Sequence, residues 1–293
     1  MRDAYPFGRG AMAVWFDRQW RLVAMICAAR EAKRTIAGAV IAAALAIMLL
    51  PGHGLADAGP GSRQEPSAGP TGEVVAFERH GVQGILTMPA ASIGPAMGIV
   101  LVLHDALAPD PRSEPYVDQL LDARIAVLDI RHENGRSEAG IDVFAQIVEE
   151  LKSHHRAVGV LGFGTGARFA ARLQAPLVAR ALLYPGCRTL AVADVPPTAP
   201  VLLMHGAEDD ANPALDCTAV ASRLSRAGMA VRHTVFAHAG YAWDQPSYGL
   251  EQRQLVPRPD GPGRVVARPW PELTALAATQ VASFFSASFR TPR

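Results

Sequence analysis

The sequence is poor in the features that mark a nucleic-acid-binding protein. Its 28 Lys and Arg residues are balanced by 27 Asp and Glu residues, so no net positive field attracts a phosphate backbone. Aromatic residues make up only 6% of the chain, which leaves few rings on which bases could stack. We therefore expect no nucleic-acid partner.

The sequence also has no apolar run long enough to cross a bilayer comfortably. Its longest uncharged apolar run covers residues 35–50, which is shorter than the roughly 20 residues that a spanning helix needs. Basic residues precede this run, and a Pro-Gly break and small residues follow it, a pattern typical of a secretory signal. The alternative is an uncleaved anchor with its basic end in the cytoplasm.

Either interpretation predicts that the rest of the chain is exported, to the periplasm or beyond. We expect a leader over residues 1–58, whose true start is Met1 or Met25, and a Gly/Pro/Ser-rich linker over residues 59–72. Any contact with a membrane would then involve the N-terminal segment alone.

Cysteine is scarce, with three residues in all. Cys27 lies in the expected leader, so Cys187 and Cys217 are the pair in the exported part. Both follow the ends of predicted strands, and adjacent parallel strands would bring the following loops together. In an oxidising compartment we expect a disulfide, the alternative being two buried free thiols.

Strand-like and helix-like segments alternate from residue 73 to the C-terminus. An alternating pattern around His80-Gly81 predicts a hairpin, and the short apolar runs that follow predict buried strands. These runs occupy residues 98–105, 125–130, 157–163, 179–185, 199–206 and 229–236. Helical periodicity appears at 115–124, 140–155 and 271–288. The pattern predicts one α/β domain over residues 73–293, a mostly parallel sheet with helices on both faces.

Four motifs at the predicted strand ends resemble the dienelactone hydrolase family of the α/β-hydrolase fold. They are "VLVLHDA", "LGFGTGARFA", "LLMHGAEDDANP" and "FAHAGYAWDQP". Their order matches the family order of nucleophile, acid and histidine. The resemblance implies cleavage of an ester or a lactone, and it also places the two cysteines where exported members of the family carry a pair.

Two of the three catalytic positions that this resemblance implies are substituted. Gly164 stands at the nucleophile position of the G-x-S-x-G-like turn, and Tyr241 stands at the histidine position. Asp209 retains the acid. Glycine offers no attacking group, and a phenol with a pKa near ~10 is a poor base at neutral pH. A rearranged loop could instead bring His238 into place.

The resemblance implies further positions around the turn. Two backbone N–H groups, at Ala106 and Thr165, would form an oxyanion hole, and Asp105 would line the pocket. Thr165 opens the following helix, so its hydroxyl is expected to point away from the nucleophile position. With Asp209 and Tyr241, these residues would border a pocket for a small molecule or a protein partner.

Two other classes of site are disfavoured. "GFGTGA" also fits the dinucleotide-binding pattern G-x-G-x-x-[GA], but at least two strands precede it and the next strand lacks a terminal acid. His154 and His155 are neighbours in sequence, which rarely converge on one metal ion. We expect no cofactor and no metal.

The sequence therefore predicts a dienelactone-hydrolase-like protein that does not catalyse the family reaction and acts as a periplasmic binding or accessory protein. The alternative is an active ester or lactone hydrolase that uses an unusual nucleophile or an activated water.

Overall fold

A mixed sheet of eight strands organises the described part of the chain, in the order β1-β2-β4-β3-β5-β6-β7-β8. The computed structural model describes residues 72–105, 111–131, 140–191, 195, 199–246 and 254–290. The predicted leader and nearly all of the predicted linker lie outside the described residues, as does Ala106. None of the helices in the described ranges has the length and apolar character that crossing a membrane requires.

The first two strands form an antiparallel hairpin, and the rest of the sheet is parallel. The hairpin turns at His80-Gly81, as predicted, and β2 pairs antiparallel with β4. From β4 through β3 and β5 to β8, every neighbouring pair is parallel. The strands are β1 Val74–Arg79, β2 Val82–Thr87, β3 Gly98–Leu103, β4 Ile125–Arg131, β5 Val158–Phe163, β6 Ala179–Leu183, β7 Val201–Gly206 and β8 Val231–Phe236.

In the described ranges, five α-helices cover the two faces of this sheet. They are α1 Glu114–Asp122, α2 Gly140–His154, α3 Thr165–Arg172, α4 Ala214–Arg226 and α5 Pro271–Arg290. Phe144 of α2, Ala167 of α3 and Val220 of α4 share one apolar cluster, whereas Tyr116 of α1 and Phe285 of α5 share the other. Alternate residues of the central strands enter the two clusters, which explains their uninterrupted apolar sequences. The predicted architecture is confirmed.

The structure differs from the prediction in small elements. A two-stranded antiparallel sheet, β9 Leu255–Pro257 and β10 Arg264–Val266, was not predicted. Three residues are too few for period-two alternation to show in a sequence. The last helix continues two residues beyond the predicted end, to Arg290.

Candidate functional site

The glycine-rich turn lies between β5 and α3, at the carboxyl edge of the parallel strands. Gly164 joins the strand to the helix with φ 51° and ψ −114°, a conformation that is strained for residues with a side chain. Glycine at positions 162 and 166 allows the strand, the helix and the segment after β3 to approach closely. A Cβ atom at 162 would lie 2.6 Å from the backbone nitrogen of Ala167, and one at 166 would lie 2.6 Å from the backbone oxygen of His104. The backbone of a nucleophile elbow is therefore intact.

The space above Gly164 is filled by a carboxylate. A Cβ atom at position 164 would lie 2.6 Å from Cγ of Asp105 and would also overlap the Tyr241 hydroxyl. Oδ1 of Asp105 accepts a short hydrogen bond from the backbone N–H of Thr165. That N–H is the donor expected in an oxyanion hole, and here it already holds a negative oxygen. The Asp105 side chain occupies the centre of the pocket that it was predicted to line.

A buried guanidinium neutralises this carboxylate. Nη1 of Arg112 donates to Oδ2 of Asp105 at 2.9 Å, and the two side chains are only 1% and 2% exposed. The Tyr241 hydroxyl donates to the same oxygen at 3.3 Å. Sequence reasoning missed Arg112, whose only signal is that it is basic and seven residues after Asp105.

Tyrosines surround this ion pair on one side. The hydroxyl groups of Tyr184 and Tyr116 donate to the two oxygens of Asp244, at 2.6 Å and 2.9 Å. Arg112 also donates to the hydroxyl of Tyr184 at 3.4 Å. Burial raises the pKa of Tyr241 well above its usual value, and the negative charge of Asp105 raises it further. Tyr241 therefore stays protonated at neutral pH and acts as a hydrogen-bond donor.

Asp209, the retained acid position, is used by its own loop. Its Oδ1 accepts hydrogen bonds from the backbone N–H groups of Ala211 and Asn212, and its Oδ2 accepts one from the Asn212 amide. In the described part of the chain, no hydrogen bond joins Asp209 to Tyr241. Asp209 is 3% exposed, and burial raises its pKa to about 7. The residue caps a turn, and it is not the N-cap of α4, whose N-cap is Pro213.

The predicted disulfide braces this loop. Cys187 and Cys217 are bonded, which confirms the pairing. Asn212 lies beside the bond, and its Oδ1 accepts from the backbone N–H groups of Gly186 and Cys187 at 2.6 Å and 3.3 Å. Asn212 therefore links the loop that carries Asp209 to the cysteine-bearing turn after β6.

His238 lies on the surface, away from the elbow. Its side chain is 84% exposed, and its Nδ1 hydrogen bonds to Oε1 of Glu208 at 3.1 Å. Glu208 also accepts from Arg268. This placement gives no support to a loop rearrangement in which His238 partners Asp209.

A second polar link, also missed by sequence reasoning, joins the ends of β3 and β4. Asp129 accepts from Nε2 of His104 at 2.6 Å and from the hydroxyl of Ser113 at 2.9 Å. His104 precedes Asp105 in the chain, and Ser113 follows Arg112. Asp129 therefore ties together the two segments that supply the buried ion pair.

The described residues around the elbow do not match the dinucleotide-binding pattern. The elbow follows β5, the third parallel strand in the chain, and Tyr184 rather than an acid follows the neighbouring strand β6. The described residues include no group of three His, Cys, Asp or Glu side chains placed to hold a metal.

A cavity of about 450 Å³ lies beside the site, lined by residues that include Pro115, Trp243 and Thr274.

This topology, with a strand–elbow–helix at the carboxyl edge, defines the α/β-hydrolase fold. Three proteins of known structure are similar to the described chain. A protein described as a putative esterase from Staphylococcus aureus gives a TM-score of 0.56 at 11% identity, over 76% of this chain and 86% of that one. Est1E from Butyrivibrio proteoclasticus gives 0.53 at 11% identity, over 74% and 99%. A fungal esterase from Rhizomucor miehei gives 0.56 at 11% identity, over 74% and 82%. At this identity the likeness shows the fold alone.

The family is shown by sequence. The dienelactone hydrolase family matches residues 105–254, about half of the chain, and the protein belongs to that family. No curated protein sequence matches it.

Proposed function

We propose that this protein is a non-catalytic member of the dienelactone hydrolase family that acts as a binding or accessory protein in the periplasm. The observation that carries the proposal is the contact between Gly164 and Asp105. Position 164 lacks a nucleophile, and the space that a nucleophile's side chain would need holds the Asp105 carboxylate. The family reaction requires an attacking group and a vacant oxyanion hole at this place, and the elbow provides neither.

Tyr241 supports the same proposal. A general base must accept a proton near neutral pH, but the pKa of the Tyr241 hydroxyl is raised above its usual value by burial and by Asp105. Its hydroxyl points at a carboxylate, which fixes it as a donor. The histidine position has thus become part of the contacts that hold Asp105.

The alternative is a hydrolase in which Asp209 activates a water. The observation that favours it is the burial of the Asp209 carboxyl group, which raises its pKa to about 7, a value that suits a group exchanging protons at neutral pH. The geometry favours it less. Both oxygens of Asp209 already accept hydrogen bonds from its own loop, and the group is almost fully buried.

A binding role needs open space, and one cavity lined by described residues lies beside the elbow. The residues that line this cavity of about 450 Å³ include the apolar Pro115 and Trp243 and the acidic Glu114 and Asp244. We place the small-molecule or protein contact at this cavity. Hydrogen bonds connect this cavity to the ion pair. Tyr116 and Tyr184 both donate to Asp244, which lines the cavity, and Arg112 of the ion pair donates to the hydroxyl of Tyr184.

The first test measures turnover of activated esters and lactones by the purified full-length protein and by its Asp209→Ala variant. We expect no turnover above that of the variant. Turnover by the unmodified protein that disappears with Asp209→Ala would establish the alternative and refute the non-catalytic proposal.

The second test restores the family's catalytic groups. Gly164→Ser with Tyr241→His should not suffice, because the serine side chain would meet Asp105. Adding Asp105→Ala clears the space, and we expect esterase activity to appear only in this triple variant. If the triple variant folds, as judged by circular dichroism, and still cleaves nothing, the assignment of these positions loses its support. Equal activity in the double and triple variants would show that Asp105 does not block the elbow.

The periplasmic location is part of the proposal. The apolar run at residues 35–50 and the Cys187–Cys217 disulfide support it, since disulfides persist in oxidising compartments. We accordingly propose a leader over residues 1–58, a linker over 59–72 and an exported domain over 73–293. Cell fractionation, with mass measurement of the mature N-terminus, distinguishes a cleaved signal from an anchor. Recovery in the cytoplasm would refute export.

A further inference from the structure

We infer that the elbow of this protein is a built carboxylate-binding site whose resident ligand is the side chain of Asp105. A small monocarboxylate such as formate or acetate should bind there once that side chain is removed. The inference rests on the proposed function, because a catalytic elbow would keep this place free for its nucleophile and its substrate.

Three donors from separate parts of the fold converge on the Asp105 carboxylate. The N–H of Thr165 comes from the first turn of α3, Arg112 precedes α1, and Tyr241 follows β8. A cluster assembled from three elements keeps its geometry when one member is shortened, since each donor is fixed by its own element. Arg112 and Tyr241 are both fully buried, so no solvent competes for them.

The donors select a monovalent carboxylate. A guanidinium and a carboxylate match in charge and shape, and a helix N-terminus favours an anion. Both carboxylate oxygens accept hydrogen bonds. One accepts from the N–H of Thr165, and the other accepts from Arg112 and Tyr241. A neutral amide of the same size would turn an N–H group towards these donors, and a halide has only one centre to share among them.

The position of Asp105 also defines the size of the ligand. Asp105→Ala removes a group of the dimensions of formate, and Asp105→Gly removes one of the dimensions of acetate. In the unmodified chain the same space is filled. The elbow of the unmodified protein is therefore closed to external carboxylates, in agreement with a binding role located elsewhere.

The test is the thermal unfolding of full-length Asp105→Ala in sodium formate and in sodium chloride at equal ionic strength. At a formate concentration about twenty times Kd, we expect Tm to rise by about 3–6 °C above its value in chloride. Acetate should do the same for Asp105→Gly. The unmodified protein and Asp210→Ala, which removes an exposed neighbour of Asp209, should show equal Tm in the two salts.

The charge of the site is tested by adding Arg112→Met to Asp105→Ala, which should abolish the formate effect. Formamide should have no effect on any variant. If Asp105→Ala does not fold in chloride, the readout becomes the yield of refolded protein in formate against chloride. Equal Tm, or equal failure to fold, in formate and chloride would overturn the inference. These readouts do not involve turnover, so their failure is distinct from a failure of the non-catalytic proposal, which esterase assays decide.

Discussion

Asp209 should make the folded protein less stable as the pH rises. Burial raises its pKa from an ordinary value of 3.8 to about 7, so the folded state binds a proton that the unfolded state has released. A group of this kind contributes its full stability below its unfolded pKa and loses it as the pH rises through its folded pKa. With these two values, the contribution falls by about 2–3 kcal/mol between pH 5 and pH 8.

The perturbation is Asp209→Asn, which keeps an acceptor for the N–H groups of Ala211 and Asn212 but cannot titrate. Urea unfolding of both proteins at pH 5, 6, 7 and 8 gives the difference in the free energy of unfolding. From pH 5 to pH 8, the free energy of unfolding of the variant should rise by about 2–3 kcal/mol relative to that of the native protein. Losing the bond from the Asn212 amide adds a cost that is the same at every pH. Asp210→Asn, at an exposed neighbouring position, is the matched control. Parallel pH profiles for Asp209→Asn and the native protein would refute the assignment of a raised pKa.

Two further predictions concern the links around the site. Arg112→Met leaves Asp105 buried without its cation and should lower the free energy of unfolding by about 3–5 kcal/mol, whereas Arg112→Met combined with Asp105→Asn should cost clearly less. An equal cost for the single and double variants, measured by urea unfolding, would show that Asp105 is not charged in the native state. Replacing Cys187 and Cys217 together with Ser opens a loop of 30 residues and should cost about 3–4 kcal/mol. A change below about 1 kcal/mol would mean that Asn212 holds the turn unaided.

The sheet and its helices follow from the sequence because burial imposes a pattern on it. The strands β3 and β5 are covered on both faces, so they appear as short apolar runs, and α2 has one buried face, so its apolar residues recur at helical spacing. The elbow was predictable for a different reason. Close backbone contacts at Gly162 and Gly166 exclude a Cβ atom, and the spacing of these glycines can be recognised in the sequence.

The filling of the elbow was not predictable. Whether the carboxylate of Asp105 points into the space above Gly164 depends on the position of Arg112, which is set by tertiary contacts. The spacing of seven residues between Asp105 and Arg112 matches no local motif. The same holds for Asn212, whose contacts with the turn at Gly186 join parts of the chain that are 26 residues apart.

Gly164 and Asp105 depend on each other, and this coupling can be measured. In the native chain, Gly164→Ser forces a side chain against the Asp105 carboxylate and the Tyr241 hydroxyl, in addition to straining the backbone. In an Asp105→Ala background the backbone strain and the overlap with the Tyr241 hydroxyl remain, but the collision with the carboxylate is gone. Overpacking of this kind typically costs about 1–3 kcal/mol, so a double-mutant cycle should give a coupling of that size. The cost of losing the ion pair between Arg112 and Asp105 occurs with either residue at position 164 and therefore cancels. Additivity within about 0.5 kcal/mol would mean that Asp105 moves aside freely, in which case the elbow would be open to a nucleophile after all. A coupling of the expected size would mean that recovery of the family reaction requires the carboxylate to leave before a serine can enter.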